Sequence, residues 1–215
     1  MLVTENSMAI LRERILQPDE MPEEMAARVA KYVSNGDADL ETKFFDLING
    51  LWFLPNSPCL MNAGTEIGQL CACFVIPIED TMESIFGALR DMALIQKTGG
   101  GTGFNFSRLR HAGDKVNSTN GVASGPVSFL KIFNAATEEI KQGGKRRGAS
   151  LAVLNVDHPD ILDFIHCKRD TDQLKNFNIS VGVTDEFMAA VLGGDNFTLR
   201  KPRNGEVMTI LPAKI

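Results

Sequence analysis

The chain has 215 residues, 44% of them hydrophobic and 23% charged, which excludes a disordered, fibrous or collagen-like molecule. Twenty-two basic against 27 acidic residues leave a net charge of -5. That balance gives no general attraction for a nucleic-acid backbone or an anionic bilayer, so any phosphate binding has to be local.

In chain order, Met1 to Ile10 carries Glu5 and no sustained apolar run, so it does not read as a signal peptide. The chain is therefore expected in the reducing cytoplasm, where Cys59, Cys71, Cys73 and Cys167 would be free, catalytic or metal-bound. Two amphipathic helices come first. Met25, Val29, Tyr32 and Val33 recur at helical spacing after Pro22, as do Leu40, Phe44, Leu47, Ile48 and Leu51 after Asp39. The uncharged stretch Leu47 to Thr65 is broken by Gly50, Pro55 and Pro58, which argues against a membrane span. Phe44, Trp52, Phe129 and Phe133 are expected in the core.

From Leu70 onward short β-prone runs at 71–76, 103–106, 149–154 and 178–183 alternate with segments of helical period. The first of these helices is expected to start at Asp80, Thr81, Met82, Glu83, a cap residue followed three places on by an acid. Another begins near Pro126 with Val127, Leu130, Phe133 and Thr137 or Ile140 inward, and a third follows Asp157, His158 and Pro159 with Ile161, Leu162 and Ile165 inward. Connections of this length suit parallel strands, which need about a dozen residues to return. An α/β fold with a parallel sheet or part of a barrel follows. Residues 197–210, centred on Asn204 and Gly205, read as a β-hairpin.

Three places have the residues for chemistry. Gly99, Gly100, Gly101 and Gly103 allow a ligand close to the backbone, yet match no nucleotide-binding fingerprint and suit a plain tight connection equally. Lys141, Gln142, Gly143, Gly144, Lys145, Arg146, Arg147 and Gly148 put four cations among three glycines, a local phosphate or nucleotide contact in an acidic chain. Cations at a helix C-terminus would explain Lys141 but neither the glycines nor both arginines. Cys71 and Cys73 lack two further ligands at zinc spacing, so no metal is assigned. As i and i+2 on a strand they stand ~6.6 Å apart, too far for a mutual disulfide. Either they are buried apolar residues, or Cys73 has a redox partner elsewhere.

Together these residues resemble the large catalytic subunit of ribonucleotide reductase, most closely its class II, adenosylcobalamin-dependent form. The matching segments are Asn56-Ser-Pro-Cys-Leu-Met-Asn-Ala-Gly64, Gln69-Leu-Cys-Ala-Cys-Phe-Val-Ile76, Glu79-Asp-Thr-Met-Glu-Ser-Ile-Phe86, Lys97-Thr-Gly-Gly-Gly-Thr-Gly-Phe-Asn-Phe-Ser-Arg-Leu-Arg110, Gly121-Val-Ala-Ser-Gly-Pro-Val-Ser-Phe129 and Lys141-Gln-Gly-Gly-Lys-Arg-Arg-Gly-Ala149. The resemblance implies an N-terminal helical region, placed at 1–55, followed over 56–215 by the first part of a ten-stranded α/β barrel. It puts the radical cysteine loop beyond Ile215, so the chain is expected to be an N-terminal fragment, inactive alone.

By the same resemblance Cys73 is one of two reducing cysteines, while Cys71 stands where relatives commonly carry Ser. Ser57, Ala72, Cys73 and Gly101 match substrate-binding positions. Asp80, Thr81, Met82 and Arg110 match an effector site for a deoxynucleoside triphosphate or ATP. Asn117 occupies a place where the aerobic class has an arginine. Lys141, Gln142, Lys145 and Arg146 match the loop that passes effector identity to the substrate pocket. The resemblance implies a ribonucleotide substrate, a diphosphate, together with a thioredoxin-like reductant and a homodimer. Nucleic acid and membrane are not expected partners. A different class of reading is a nucleotide-binding regulatory or interaction module without catalysis. A related glycyl-radical enzyme fits the 69–76 and 97–110 segments less well.

Overall fold

A computed structural model describes residues 3–116, 120–140, 149–169 and 173–214. The chain divides into two compact units, which among the described residues are 3–74 with 97–100, and 75–96 with 101–116, 120–140, 149–169 and 173–214.

The first unit is helical. Helix α1 (Glu5–Arg14) opens on Thr4, whose Oγ1 accepts from the Ser7 amide at 3.2 Å, and it buries none of its residues. Leu11 packs partly buried against the core, and with no fully buried residue the apolar period is too weak to announce the helix. In α2 (Pro22–Val33), Pro22 sets φ in the first turn, and the Glu24 carboxylate takes the Met21 amide at 2.8 Å. Its inward face is Met25, Ala26, Val29 and Ala30. Helix α3 (Ala38–Asn49) is capped by Asp37 rather than entered after Asp39, because Asp37 Oδ1 reaches the Leu40 amide at 3.0 Å. A short α4 (Ser57–Asn62), capped by Asn56 on the Cys59 amide at 2.9 Å, adds Cys59 and Leu60 to the core that Leu16, Met25, Val29 and Ile48 begin.

Trp52 corrects one expectation: it is 85% exposed. The chain turns after Gly50, with Leu51 at φ 59°, and the indole lies outside over Gly50, where a Cβ would come within 2.7 Å of Trp52 Cδ1.

The second unit is an α/β layer. The chain enters it through β1 (Cys73–Val75), the outer strand of a sheet ordered β1-β2-β5-β6. Strands β2 (Gly101–Asn105), β5 (Ser150–Asn155) and β6 (Phe177–Gly182) run parallel, with Thr102 opposite Ser150 and Ser150 opposite Phe177. The connections between these three hold α6 (Pro126–Glu139) and α7 (Ile161–His166), as parallel returns require, while α5 (Met82–Lys97) lies between β1 and β2. Between β2 and α6 the chain also forms a two-stranded ribbon, β3 (Lys115–Val116) with β4 (Gly121–Val122), too short to show a strand period in the sequence.

Phe104, Phe106, Phe133 and Phe177 fill the centre, with Phe104 and Phe133 edge to face at 5.0 Å. On α7 the inward residues are Ile161 and Phe164; Leu162 and Ile165, expected inward, are 48% and 45% exposed because only one turn and a half packs down. After β6, α8 (Asp185–Gly193) is capped by Thr184 and ends on Gly194 at φ 69°. The expected hairpin is present as β7 (Asn196–Arg200) against β8 (Val207–Pro212).

Candidate functional site

Within the second unit a cleft of about 440 Å³ opens at the start of α5. Its polar end is Asp80, Thr81 and Arg110, and its apolar wall is Ile85, Val116, Val122 and Phe129. The helix start differs from the expected one by a residue. Thr81, not Asp80, provides the cap: its Oγ1 accepts the Ser84 amide at 3.1 Å, and Ser84 Oγ accepts the Glu79 amide at 2.9 Å.

Asp80 is thereby left for Arg110. Arg110 Nε donates to Asp80 Oδ2 at 2.8 Å, and its backbone amide donates to Oδ1 at 3.1 Å. Longer contacts run from Nη2 to the Asp80 carbonyl at 3.4 Å and from Nη1 to the Lys115 carbonyl at 3.5 Å. The two side chains are 19% and 21% exposed, so the pair is only partly wet. A carboxylate has about four lone-pair positions and a guanidinium five N–H groups, so both keep capacity for a ligand.

The floor of this region is fixed from below. His158, 2% exposed, donates from Nε2 to the Leu109 carbonyl at 2.9 Å and accepts the Asp160 amide on Nδ1 at 3.0 Å. Burial holds its pKa below the ordinary histidine value, so it stays neutral and keeps that tautomer. Asp160 Oδ2 takes the Ala112 amide at 2.8 Å. Gly125 closes the cleft at φ 76°, where a Cβ would lie 2.6 Å from Asp160 Oδ2 and 2.9 Å from the Ala112 nitrogen. Ser124, Gly125 and the two ribbon residues Val116 and Val122 are contacts that the sequence did not assign; only the Gly-Pro pair before α6 hints at them.

A second, polar cleft of about 660 Å³ lies at the carboxyl ends of β2 and β5, lined by Asn105, Ser107, Arg108, Asn155, Asp157 and Arg200 among others. Its cations are already engaged by the protein: Arg108 with Glu79, Arg200 Nη1 with the Gly205 carbonyl at 3.3 Å, and Lys201 with Glu206 at 2.8 Å.

In the first unit Cys73 stands at the head of β1 and is exposed, as is Cys71. Cys59 is buried and Cys167 half-buried, and burial pushes both thiols up, against the pull of Arg28 on Cys59 and of Lys168 and Lys131 on Cys167. Those two are protonated and inert; the exposed pair is open to reaction. Ser57 begins α4, and Ala72, half-buried, precedes Cys73. Gly101 opens β2 in the second unit. Gln69, which heads one of the matching segments but was given no role of its own, joins three of those segments. Its backbone carbonyl accepts from Asn62 Nδ2 at 2.9 Å and its Oε1 accepts from Thr98 Oγ1 at 2.7 Å.

Asn117, Lys141, Gln142, Lys145 and Arg146 lie outside the described residues. Among the described residues no group of three or more His, Cys, Asp or Glu could hold a metal ion, and no helix is long and apolar enough to cross a membrane.

Comparison with known proteins matches residues 71–213 to the family model "Ribonucleotide reductase, barrel domain" and residues 1–68 to "Ribonucleotide reductase, all-alpha domain". Among curated relatives, the vitamin B12-dependent ribonucleoside-diphosphate reductase of Thermoplasma acidophilum is 55% identical over 173 residues, 80% of this chain and 22% of the relative. The protein of the same name from Mycobacterium tuberculosis (strain H37Rv) is 46% identical over 222 aligned residues, 96% of this chain and 31% of the relative. The vaccinia virus ribonucleoside-diphosphate reductase large subunit is 33% identical over 189 residues, 85% of this chain and 24% of the relative. The chain thus spans about a fifth to a third of the length of these relatives. It belongs to the ribonucleotide reductase large-subunit family, and the expected architecture, an all-α region leading into an α/β barrel domain, is borne out.

Proposed function

We propose that, as a member of this family, the chain serves a reductase that converts ribonucleoside diphosphates to deoxyribonucleotides, supplying an allosteric nucleotide site and one of the two reducing thiols. The observation that carries this reading is the 440 Å³ cleft, whose size falls in the range of about 300–1,000 Å³ that suits a nucleotide-sized ligand. The spare acceptor positions of Asp80 suit a sugar hydroxyl. The open N–H groups of Arg110 and the positive end of α5 suit phosphate oxygens, and Val122 and Phe129 offer an apolar wall for a base. Asn117, Lys141, Gln142, Lys145 and Arg146 join this site by the resemblance alone.

Cys73 is assigned the reducing role because its thiol is exposed at the head of β1 in the matching register. Its proton goes to the departing 2′-oxygen, which leaves as water. Cys73 and a second thiol together give up two electrons and two protons and end as a disulfide, while the 2′-carbon gains hydrogen in place of hydroxyl. A thioredoxin-like dithiol then restores both thiols by exchange. Ser57, Ala72 and Gly101 are assigned to hold the substrate. On the same reading the enzyme is a cytoplasmic homodimer.

Adenosylcobalamin, which the relatives' names imply, would supply the initiating radical. The steps assigned to this chain's own residues do not run through it. The experiment is a calorimetric titration of the chain with each deoxynucleoside triphosphate. Saturable binding that Asp80→Asn weakens is expected; no heat with any of them would refute the cleft as an effector site and with it the allosteric reductase reading.

A further inference from the structure

Gln96, in the last turn of α5, is fully buried, and its amide meets hydroxyls from three other elements. Nε2 lies 3.0 Å from Ser150 Oγ on β5, 3.4 Å from Thr102 Oγ1 on β2 and 3.4 Å from Thr137 Oγ1 on α6. The three hydroxyl residues are 3–4% exposed. Thr102 and Ser150 also bond each other at 2.9 Å, and the Thr137 hydroxyl donates to the Phe133 carbonyl at 2.9 Å.

Two N–H groups cannot serve three oxygens fully at once, and Gln96 Oε1 finds no partner among the described residues. Turning the amide over would only exchange an orphaned acceptor for orphaned donors. As packing, then, the glutamine is poorly chosen. The three hydroxyls would keep partners without it, and an apolar side chain of the same length would leave nothing unsatisfied.

Its position supplies a reason for the glutamine. Helix α5 runs from the Asp80–Arg110 cleft at its first turn to Gln96 in its last, roughly 20 Å along the axis at 1.5 Å per residue. Helix α6 likewise starts beside Gly125, gives Phe129 to the cleft and ends its path at Thr137. Two rigid helices therefore lead from one cleft to one amide. That amide also grips Thr102, next to Gly101, and Ser150, the strand start that follows segment 141–148 in sequence.

We propose that Gln96 is a positioning residue that couples the nucleotide cleft to the starts of β2 and β5, joining the far ends of α5 and α6 to the strand that Gly101 opens. The proposal rests on the reading of that cleft as a nucleotide site. Gln96→Met is the test, with dATP and dTTP as probes, and with calorimetry, a melting curve and hydrogen exchange measured on the chain and the variant.

Both proteins should bind nucleotide with affinities within ~threefold of each other, a difference of under 1 kcal/mol, and the variant should melt no lower. In the native chain nucleotide should slow exchange at the Thr102 and Ser150 amides, which donate to the Ala149 and Asn176 carbonyls. In Gln96→Met that slowing should vanish. An undiminished response in the variant overturns the proposal. If Gln96→Met does not fold, Ser150→Ala, which removes the shortest contact, decides by the same two outcomes. Failure of the native chain to bind either nucleotide brings down the cleft reading and this proposal with it, and calorimetry alone shows that case.

Discussion

Replacing Arg28 by Met removes a guanidinium that works on two sides at once. Nε and Nη2 donate to the two Glu20 carboxylate oxygens at 2.6 and 2.9 Å, while Nη1 and Nη2 donate to the Ala63 and Leu60 carbonyls at 2.5 and 3.0 Å. The ion-pair side chains are 17% and 9% exposed, so the variant leaves Glu20 in a dry place with one remaining donor, the Gln17 amide at 2.9 Å. Breaking a buried pair from one side costs about 3–5 kcal/mol. An independent bound comes from protonation. Neutralising a carboxylate of ordinary value 4.5 at pH 7 takes about 3.4 kcal/mol, at 1.36 per unit, so the cost of stranding the Glu20 charge in the variant cannot exceed that, and the stabilisation lost with the lowered native pKa adds to it.

The bound also sets the pH dependence. Burial alone would raise Glu20, but the bonds from Arg28 and Gln17 outweigh it and hold the carboxyl below 4.5 in the fold. Native stability from this pair is therefore complete above 4.5 and is lost as the pH falls through the lower folded value. In Arg28→Met burial acts unopposed by the guanidinium, so the penalty should be largest near neutrality and shrink towards pH 4.5. Urea unfolding followed by circular dichroism from pH 7 to pH 4.5 measures it. A penalty below ~1 kcal/mol at pH 7, or one that does not fall with acid, would mean that the Arg28–Glu20 pair does not stabilise the fold in this way. Because Arg28 holds the carbonyls at the end of α4, the variant should also loosen the helix that begins with Ser57.

In the complete reductase Cys73→Ser should stop multiple turnover with a dithiol reductant, while Cys71→Ser should retain it; equal loss in both folded variants would contradict the assignment of the reducing role to Cys73 alone. His158 makes a second pH prediction: burial holds its folded pKa below the ordinary 6.5, so protons are taken up on unfolding, and stability should fall as the pH drops from 6.5 through the folded value. His158→Gln should flatten that slope in a series of melting curves at fixed ionic strength, and an unchanged slope would show that another group sets it.

The α/β alternation, the parallel pairing and the hairpin were legible because each leaves a period: strand runs of five or six residues, helices with one buried face, and Asn204-Gly205 between alternating arms. What was not legible lacks a period. Helix α1 buries no residue fully, α4 has six residues, and the β3–β4 ribbon has two residues in each strand. Trp52 misled because its apolarity says nothing about a backbone that turns outward after Gly50. At the site, Asp80, Thr81, Met82 and Arg110 were named from the motif, and the structure places all four on one cleft. Gln96 carried no signal and Gln69 only its place in a motif, since a glutamine that ties elements together through backbone and hydroxyl contacts looks like any surface glutamine until the fold is known.

The one-residue displacement of the α5 cap shows why the motif contains both Asp80 and Thr81. Either can cap a helix, and a single cap needs only one of them. Thr81 takes the Ser84 amide, and Ser84 returns the favour to Glu79, so the first turn is closed without a charged group. A carboxylate spent on capping would hold fewer acceptor positions and would neutralise part of the helix end that favours phosphate. With the neutral hydroxyl in the cap, Asp80 turns to Arg110, 30 residues later, and sets the guanidinium at the mouth of the cleft. Replacing Thr81 by Ala should therefore do more than remove a cap worth about 1 kcal/mol. It invites Asp80 into the vacant role and releases Arg110, so that nucleotide affinity falls further than the stability change accounts for.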